Sequence, residues 1–541
     1  MKTARWPRLM KWLKRLAFAL AVLVTLTVLV LTFEGWRAKR AWEAYKRELA
    51  ARGEKLDWAS FAPPPVPDDQ NFLATPALAA CFGFATNQTG ATAGVGDTNA
   101  CEELKQRFNW AGRLPSPGNW REGAVTTLEA WQAQLRATNG TSGRGQTDQR
   151  MAQRYGLSEV LPGPPPPARS APENPALIAL RARPAGTPLE DLRFLLARDR
   201  AILDEIRAAA RRPFAQLRTP TDLYSGEMLP WLATSKSLIH PLLVACRTEL
   251  AGGNPEAAFE NFITLLTLAE AAGSQPLLIG TLVKIAVLEL AIQPLWVGLA
   301  EHRWTEPALA RIEARLAQLN VVADFQRSLR GERAFALAML GAASAPEEGP
   351  WVPENPYQNA LRYWPRAFVY RNQLNVARAY QAVLLDRLDP AGLAVRVTLS
   401  PEDDVLRKRL GSRSPYTVFA ALLLPAVERS LEKAAVSQAT VTLARVACAL
   451  ERHRLATGAY PERLEGLAPR FLARVPPDPV NGGALKYRCE ALDRFVLYSV
   501  GLDGKDDDGQ PTKEVRLGEK GEAPSGDWVW RSQPVEAAAA H

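Results

Sequence analysis

The residues best suited to chemistry stand together near the C-terminus. Asp503-Gly504-Lys505-Asp506-Asp507-Asp508-Gly509 places four carboxylates and two glycines in seven residues. Calcium takes about six to eight oxygens from carboxylates and carbonyls on a flexible loop, and this loop can offer several. It is not an EF-hand. Lys505 occupies the third position, and Asp508 stands where the obligatory glycine belongs. The same composition also describes a solvated acidic turn, and the residues alone leave both readings open.

Other chemistry is sparse. His240, His302, His453 and His541 stand apart, with neither HExxH nor other paired spacing for zinc. There is no GxSxG elbow, no GxxxxGK[ST] loop and no GxGxxG after a strand. His453 falls on a polar helix face and reads as a surface residue. Arg330-Gly331-Glu332-Arg333 reads as a solvated helical turn, with a buried charged cluster as the alternative. The expectation is a protein that is not an enzyme. A catalytic site built from unmarked carboxylates is the alternative.

The elements that would position the acidic loop run from Val436 onward. Ala439, Leu443, Val446 and Leu450 line one face of a helix. Gly458 is a left-handed stop and Pro461 prevents the helix resuming. Leu464 and Leu467 fit one helical turn. Pro476, Pro477 and Pro479 keep the next segment extended, and Asn481-Gly482-Gly483 turns into a strand, Ala484–Tyr487. A second strand, Arg494–Ser499, alternates Phe495 and Leu497 against Val496 and Tyr498. Two strands alone are marginal, so this sheet must lean on the helix.

The run "ALERHRLATGAYPERLEGLAPRFLARVPPDPVNGGALKYR", followed by "FVLYSVGLDGKDDDG", resembles the soluble part of the major pseudopilin of type II secretion systems. That family has a helix, a Gly-x-Tyr-Pro turn, a Pro-x-Asp-Pro segment and a Tyr-Ser-x-Gly-x-Asp-Gly loop. The resemblance implies a small α+β module whose last loop binds calcium. Asp503 matches the first acidic ligand, and Asp507 or Asp508 the later one. The chain lacks the Gly-Phe-Thr-Leu-x-Glu processing site of a pseudopilin, so assembly by pilin packing is not implied. The same tail looks like the C-terminal ends of membrane-anchored bacterial proteins of the planctomycete and verrucomicrobial type.

Leu16–Phe33 is eighteen residues without a charge. As a helix it would reach roughly 27 Å, close to the hydrocarbon thickness of a bilayer. No small-residue cleavage site follows it, so an uncleaved anchor is expected rather than a signal peptide. Six basic residues precede the run and five lie among Glu34–Glu48, a mild bias towards a cytoplasmic N-terminus. That places the body outside an inner membrane, with Trp36 and Trp42 suited to its interface. The net charge of +9 is partly this N-terminal cluster. The rest is interspersed with acids, and no basic stripe reads as a nucleic-acid site.

The chain of 541 residues has room for about two to four domains. Its abundance of alanine, leucine, arginine and proline favours a mainly α fold. The expected divisions are a basic segment (1–15), the membrane helix (16–33), a juxtamembrane helix (34–62) and a Pro/Gly-rich irregular region (63–180). An antiparallel helical array (181–345), a helical connector (346–435), the α+β module (436–531) and a tail (532–541) follow. Pro162–Pro175 reads as a semi-rigid spacer and Pro346–Pro356 as a loop. Thr187-Pro188-Leu189-Glu190 is a capping box opening a helix. Leu277–Leu299 reads as a buried helix broken at Pro294, because Lys284 and Glu289 would be costly in lipid. Leu242–Glu270 is one tetratricopeptide-like unit or an ordinary helical hairpin. Five cysteines are too scattered for a disulfide scaffold, although Cys81 and Cys101 could pair in an oxidising compartment.

The functional expectation is a membrane-anchored envelope protein with a non-catalytic binding or assembly role, a protein partner and calcium as its candidate ion. A helical interaction scaffold is the alternative from a different class.

Overall fold

The structure, a computed structural model, describes residues 6–84, 97–137, 173–217, 230–342, 364–412, 414–512 and 525–534. Most of the expected proline spacer and all of the 346–356 loop lie outside these residues. The described chain is mainly helical. In order, the α-helices longer than four residues are α1 (Trp6–Ala51), α2 (Thr98–Phe108), α3 (Leu128–Arg136), α4 (Pro175–Arg181) and α5 (Pro188–Arg198). Then come α6 (Arg200–Ala209), α7 (Pro230–Ala251), α8 (Pro255–Ala272), α9 (Leu278–Ala300) and α10 (Glu306–Leu316). Last are α11 (Val321–Ala342), α12 (Arg366–Arg378), α13 (Pro401–Leu410) and α14 (Val418–Thr457).

Two compact units emerge, each assembled from separated segments. One comprises Met1–Phe61, Arg330–Asp386 and Leu399–Val427. The other comprises Ala62–Leu329, Arg387–Thr398 and Glu428–His541.

In the first unit, no residue of the apolar part of α1 is buried, and its continuation packs along α12. Ala38, Trp42 and Leu49 on that continuation are buried. After α12 the chain widens into a π-helix, Ala379–Leu384. The expected solvated turn at Arg330-Gly331-Glu332-Arg333 is corrected here. Arg333 is fully buried and Arg330 partly so, and both donate to Glu54, at 2.6 Å each. Arg333 also donates to Gln381 Oε1 at 2.7 Å. A buried guanidinium needs such partners, because an unpaired charge in an apolar interior is strongly destabilising.

The second unit is built on α7, α8 and α9, which pack against one another. The hairpin of α7 and α8 is followed by α9. Pro294 does not break α9, which runs unbroken through it. Burial along the helix supplies enough packing to outweigh the one backbone hydrogen bond that proline removes. The two charges in α9 are each answered: Lys284 Nζ lies 2.5 Å from Asp324, and Glu289 accepts from Arg121 at 2.8 Å and from Thr440 Oγ1 at 3.0 Å. The Pro/Gly-rich region holds α3, where its sequence predicts one helix near Thr126–Ala137, and in addition α2 and a short antiparallel pair, β1 (Gly118–Asn119) with β2 (Ala124–Val125). Gly118 is required there, since a Cβ would lie 2.8 Å from Val297 and 2.9 Å from the Ala124 carbonyl. A second pair joins β3 (Leu388–Asp389) to β4 (Ala394–Val395).

The C-terminal sheet differs from the two strands expected. It has three antiparallel strands in the order β5 (Lys486–Ala491), β6 (Arg494–Ser499) and β7 (Trp528–Arg531). The third strand completes the sheet and anchors it. Trp296 Nε1 of α9 donates to the Arg531 carbonyl at 2.9 Å, and Trp530 packs on Trp120 at 5.3 Å between centroids. The helix before the sheet begins at Val418, not Val436, and passes through Pro425.

Candidate functional site

The acidic loop follows β6 and is shaped by its own carboxylates. Gly501, Gly504 and Gly509 take positive φ, as does Asp508 at 56°. Asp503 Oδ1 accepts from the Lys505 amide at 3.1 Å, and Asp506 Oδ1 from the Asp508 amide at 3.1 Å and the Tyr498 hydroxyl at 3.1 Å. Lys486 Nζ lies 3.0 Å from Asp506 Oδ2 and holds that carboxyl below its usual range. Asp507 Oδ2 accepts from the Gly526 amide at 2.7 Å.

The carboxylate at the centre of this arrangement is Asp527, which the sequence reading did not single out. It is buried, and its Oδ2 accepts from the amides of Asp507 at 3.2 Å and Gly509 at 2.8 Å. Its Oδ1 is buried without a hydrogen-bond partner among the described residues. Burial, reinforced by Asp506 and Asp507, pushes this carboxyl up to about 6. A proton or a cation would satisfy the orphan oxygen. The three residues expected to bind calcium all lie in this loop. Asp503 and Asp507 are engaged with backbone amides, and Asp508 sits at the left-handed corner. Among the described residues, no group of three or more His, Cys, Asp or Glu is arranged to hold a metal ion. The loop is thus folded around Asp527 by hydrogen bonds.

Two further carboxylates hold the module in shape. Asp478, in the Pro477-Asp478-Pro479 segment, is fully buried. Its Oδ1 accepts from the Val480 amide and the Ser499 hydroxyl, and its Oδ2 from the Val500 amide, at 2.8–3.0 Å. It ties the end of β6 to the preceding turn. Burial outweighs these donors and raises its pKa above the usual range. Glu451, near the end of α14, is the second. Its Oε1 accepts from Arg454 at 2.7 Å and faces His302 Nδ1 at 2.9 Å. Its Oε2 accepts from the Tyr460 hydroxyl at 2.7 Å and Arg454 Nε at 2.9 Å. Burial alone would raise this carboxyl, but Arg454, His302 and Tyr460 together outweigh it and bring it to about 2.

Tyr460 is the tyrosine of the Gly-Ala-Tyr-Pro turn, so the turn is pinned to α14 through Glu451. His302 follows α9 at φ 53°, while the Arg303 amide closes back on Gly298 at 2.8 Å. This is the helix-stop position usually given to glycine. A histidine there brings its ring to Glu451. His453 is half-buried rather than a surface residue. Its Nδ1 lies 2.9 Å from the Ala459 carbonyl and its ring packs on Phe471. The cysteines are all free, and Cys101 Sγ donates to the Cys81 carbonyl at 3.4 Å, so the pairing considered for these two is not formed.

No family model, curated protein or solved structure matches the chain.

Proposed function

We propose that the protein is anchored in a bacterial inner membrane by Leu16–Phe33, with its N-terminus inside and its body in the extracytoplasmic space. There the pilin-like C-terminal module serves a non-catalytic binding or assembly role with a protein partner. The observation that carries this reading is the contrast between the two most apolar helices. The apolar window of α1 is 0% buried, whereas that of α9 is 67% buried. An exposed apolar surface of that length is unfavourable in water and suits a bilayer. Asp478 and Glu451 favour the non-catalytic part, because both are engaged in holding the module's turns and strands.

Alkaline carbonate washing of isolated membranes tests the anchor. Retention of the full chain in the pellet is expected, and release into the wash would overturn the reading. Calcium is tested by the thermal midpoint of the full chain with calcium and with chelator, since a ligand of the folded state raises the midpoint. A rise that disappears in Asp527→Asn would make the orphan oxygen a cation ligand. An unchanged midpoint would leave the loop held by hydrogen bonds and a proton alone.

A further inference from the structure

The helix that leaves the membrane is not the only part of its unit at that level. Gly35 lies two residues beyond Phe33, and a Cβ there would sit 3.9 Å from the Ala367 amide nitrogen of α12. Glu34 pairs with Arg371 at 3.8 Å. Ten residues further along α1, Tyr45 stacks beneath the Arg378 guanidinium at 5.4 Å. Contacts advance in the same direction on both helices, so α12 runs parallel to α1. At about 1.5 Å per residue, the two stay level over roughly 15 Å. The start of α12 is therefore level with the end of the apolar run, and Trp364 and Pro365 precede it on the membrane side.

Aromatic residues gather at this level. Trp364 meets Phe368 at 6.1 Å and Phe419 at 6.0 Å, and Phe368 meets Tyr416 edge-on at 5.0 Å. All four are only partly buried. On α1 itself, Phe33 stacks with Trp36, and the Arg40 guanidinium lies over the Trp36 ring. Arg366, Arg37 and Arg40 are exposed around them. Tryptophan, tyrosine and arginine at one depth is the composition of a bilayer interface, where rings enter the headgroup region and guanidinium groups meet phosphate.

We propose that the start of α12 and the Tyr416–Phe419 segment form an aromatic collar that rests in the phospholipid headgroup layer beside α1. The unit is then held to the membrane surface at a second place and stands at a fixed orientation to it. The occupant is the lipid interface because the collar is continuous with the exit of an apolar helix of bilayer length. The inference rests on Leu16–Phe33 being a membrane span.

Full-length protein in phosphatidylcholine and phosphatidylglycerol vesicles tests it, in a Cys489→Ser background. An environment-sensitive fluorophore is attached singly at Arg366→Cys, Pro415→Cys, Leu26→Cys or Val405→Cys. Arg366, Pro415 and Val405 are exposed, so labels there spare the packing. Val405 lies on α13, which packs against the distant π-helix. Headgroup-nitroxide lipid should quench the labels at Arg366 and Pro415 and leave Val405 bright, while acyl-chain nitroxide should quench Leu26. Quenching at Leu26 with none at Arg366 or Pro415 would overturn the collar and leave the anchor intact. No quenching at Leu26 would overturn both.

Discussion

At the scale of single residues, two carboxylates shifted in opposite directions govern the C-terminal module. Glu451 is depressed to about 2 by Arg454, His302 and Tyr460. Its folded pKa lies below the unfolded one, so its stabilisation is complete above about pH 4.5 and is lost as pH falls towards 2. Over that shift the pairing corresponds to about 3 kcal/mol. Glu451→Gln should lower unfolding stability by about that amount at neutral pH. The gap to wild type should close as denaturant titrations are taken below pH 4.5. Asp527 behaves in reverse. Its folded pKa is raised to about 6, so the contribution of its protonated form is present below the unfolded carboxylate range and is lost as pH rises through 6. Asp527→Asn keeps an acceptor for the Asp507 and Gly509 amides and removes the charge. In metal-free buffer it should unfold at a higher temperature than wild type at pH 8 and at nearly the same temperature at pH 4. A variant less stable than wild type at pH 8 would show that the ionised group is stabilised by its two amides. None of this was legible in the acidic run itself. Asp527 lies eighteen residues beyond Gly509, and the contact that joins them is made only when β7 adds to the sheet. The short alternation Trp528-Val529-Trp530 was the available signal, since aromatic and β-branched residues favour strands.

At the scale of elements, local rules worked where local chemistry decides. The capping box at Thr187 forms as its spacing predicts. Thr187 Oγ1 accepts from the Glu190 amide at 3.3 Å, and Glu190 accepts from the Thr187 amide at 2.8 Å. Thr187→Ala should cost about 1 kcal/mol in denaturant unfolding, and Thr187→Ser should cost little. Strand β6 occupies the residues its alternation marks. Proline misled the reading at Pro294, because burial of the surrounding helix outweighs a local penalty that sequence alone makes prominent. Charge misled it at Arg333, whose partner Glu54 is 279 residues away in the chain. A long-range ion pair leaves no periodic trace, so the polar residues of an interior helix read as solvent-facing until the partner is placed.

At the scale of the whole molecule, the central claim is an anchor with the body on the far side of the membrane. The apolar helix was legible, because eighteen uncharged residues in a row are long enough, as a helix, to cross a bilayer. Which side the body occupies rests on a mild charge bias. The chain carries its own probe for this question. Cys246 and Cys448 are completely buried, which raises both thiols well above the ordinary range, and burial pushes Cys81 up to about 12. Cys101 is buried too, and only Cys489, on β5, is partly exposed. The thiolate is the reactive form, so native protein should be alkylated at Cys489 first and at the other four only after unfolding. The most direct measurement is therefore labelling of the unmodified full chain by a membrane-impermeant maleimide. The cells would have a permeabilised outer membrane and an intact inner membrane. The account predicts rapid modification confined to Cys489 before lysis. Modification of Cys489 only after the inner membrane is broken would place the body in the cytoplasm and contradict it.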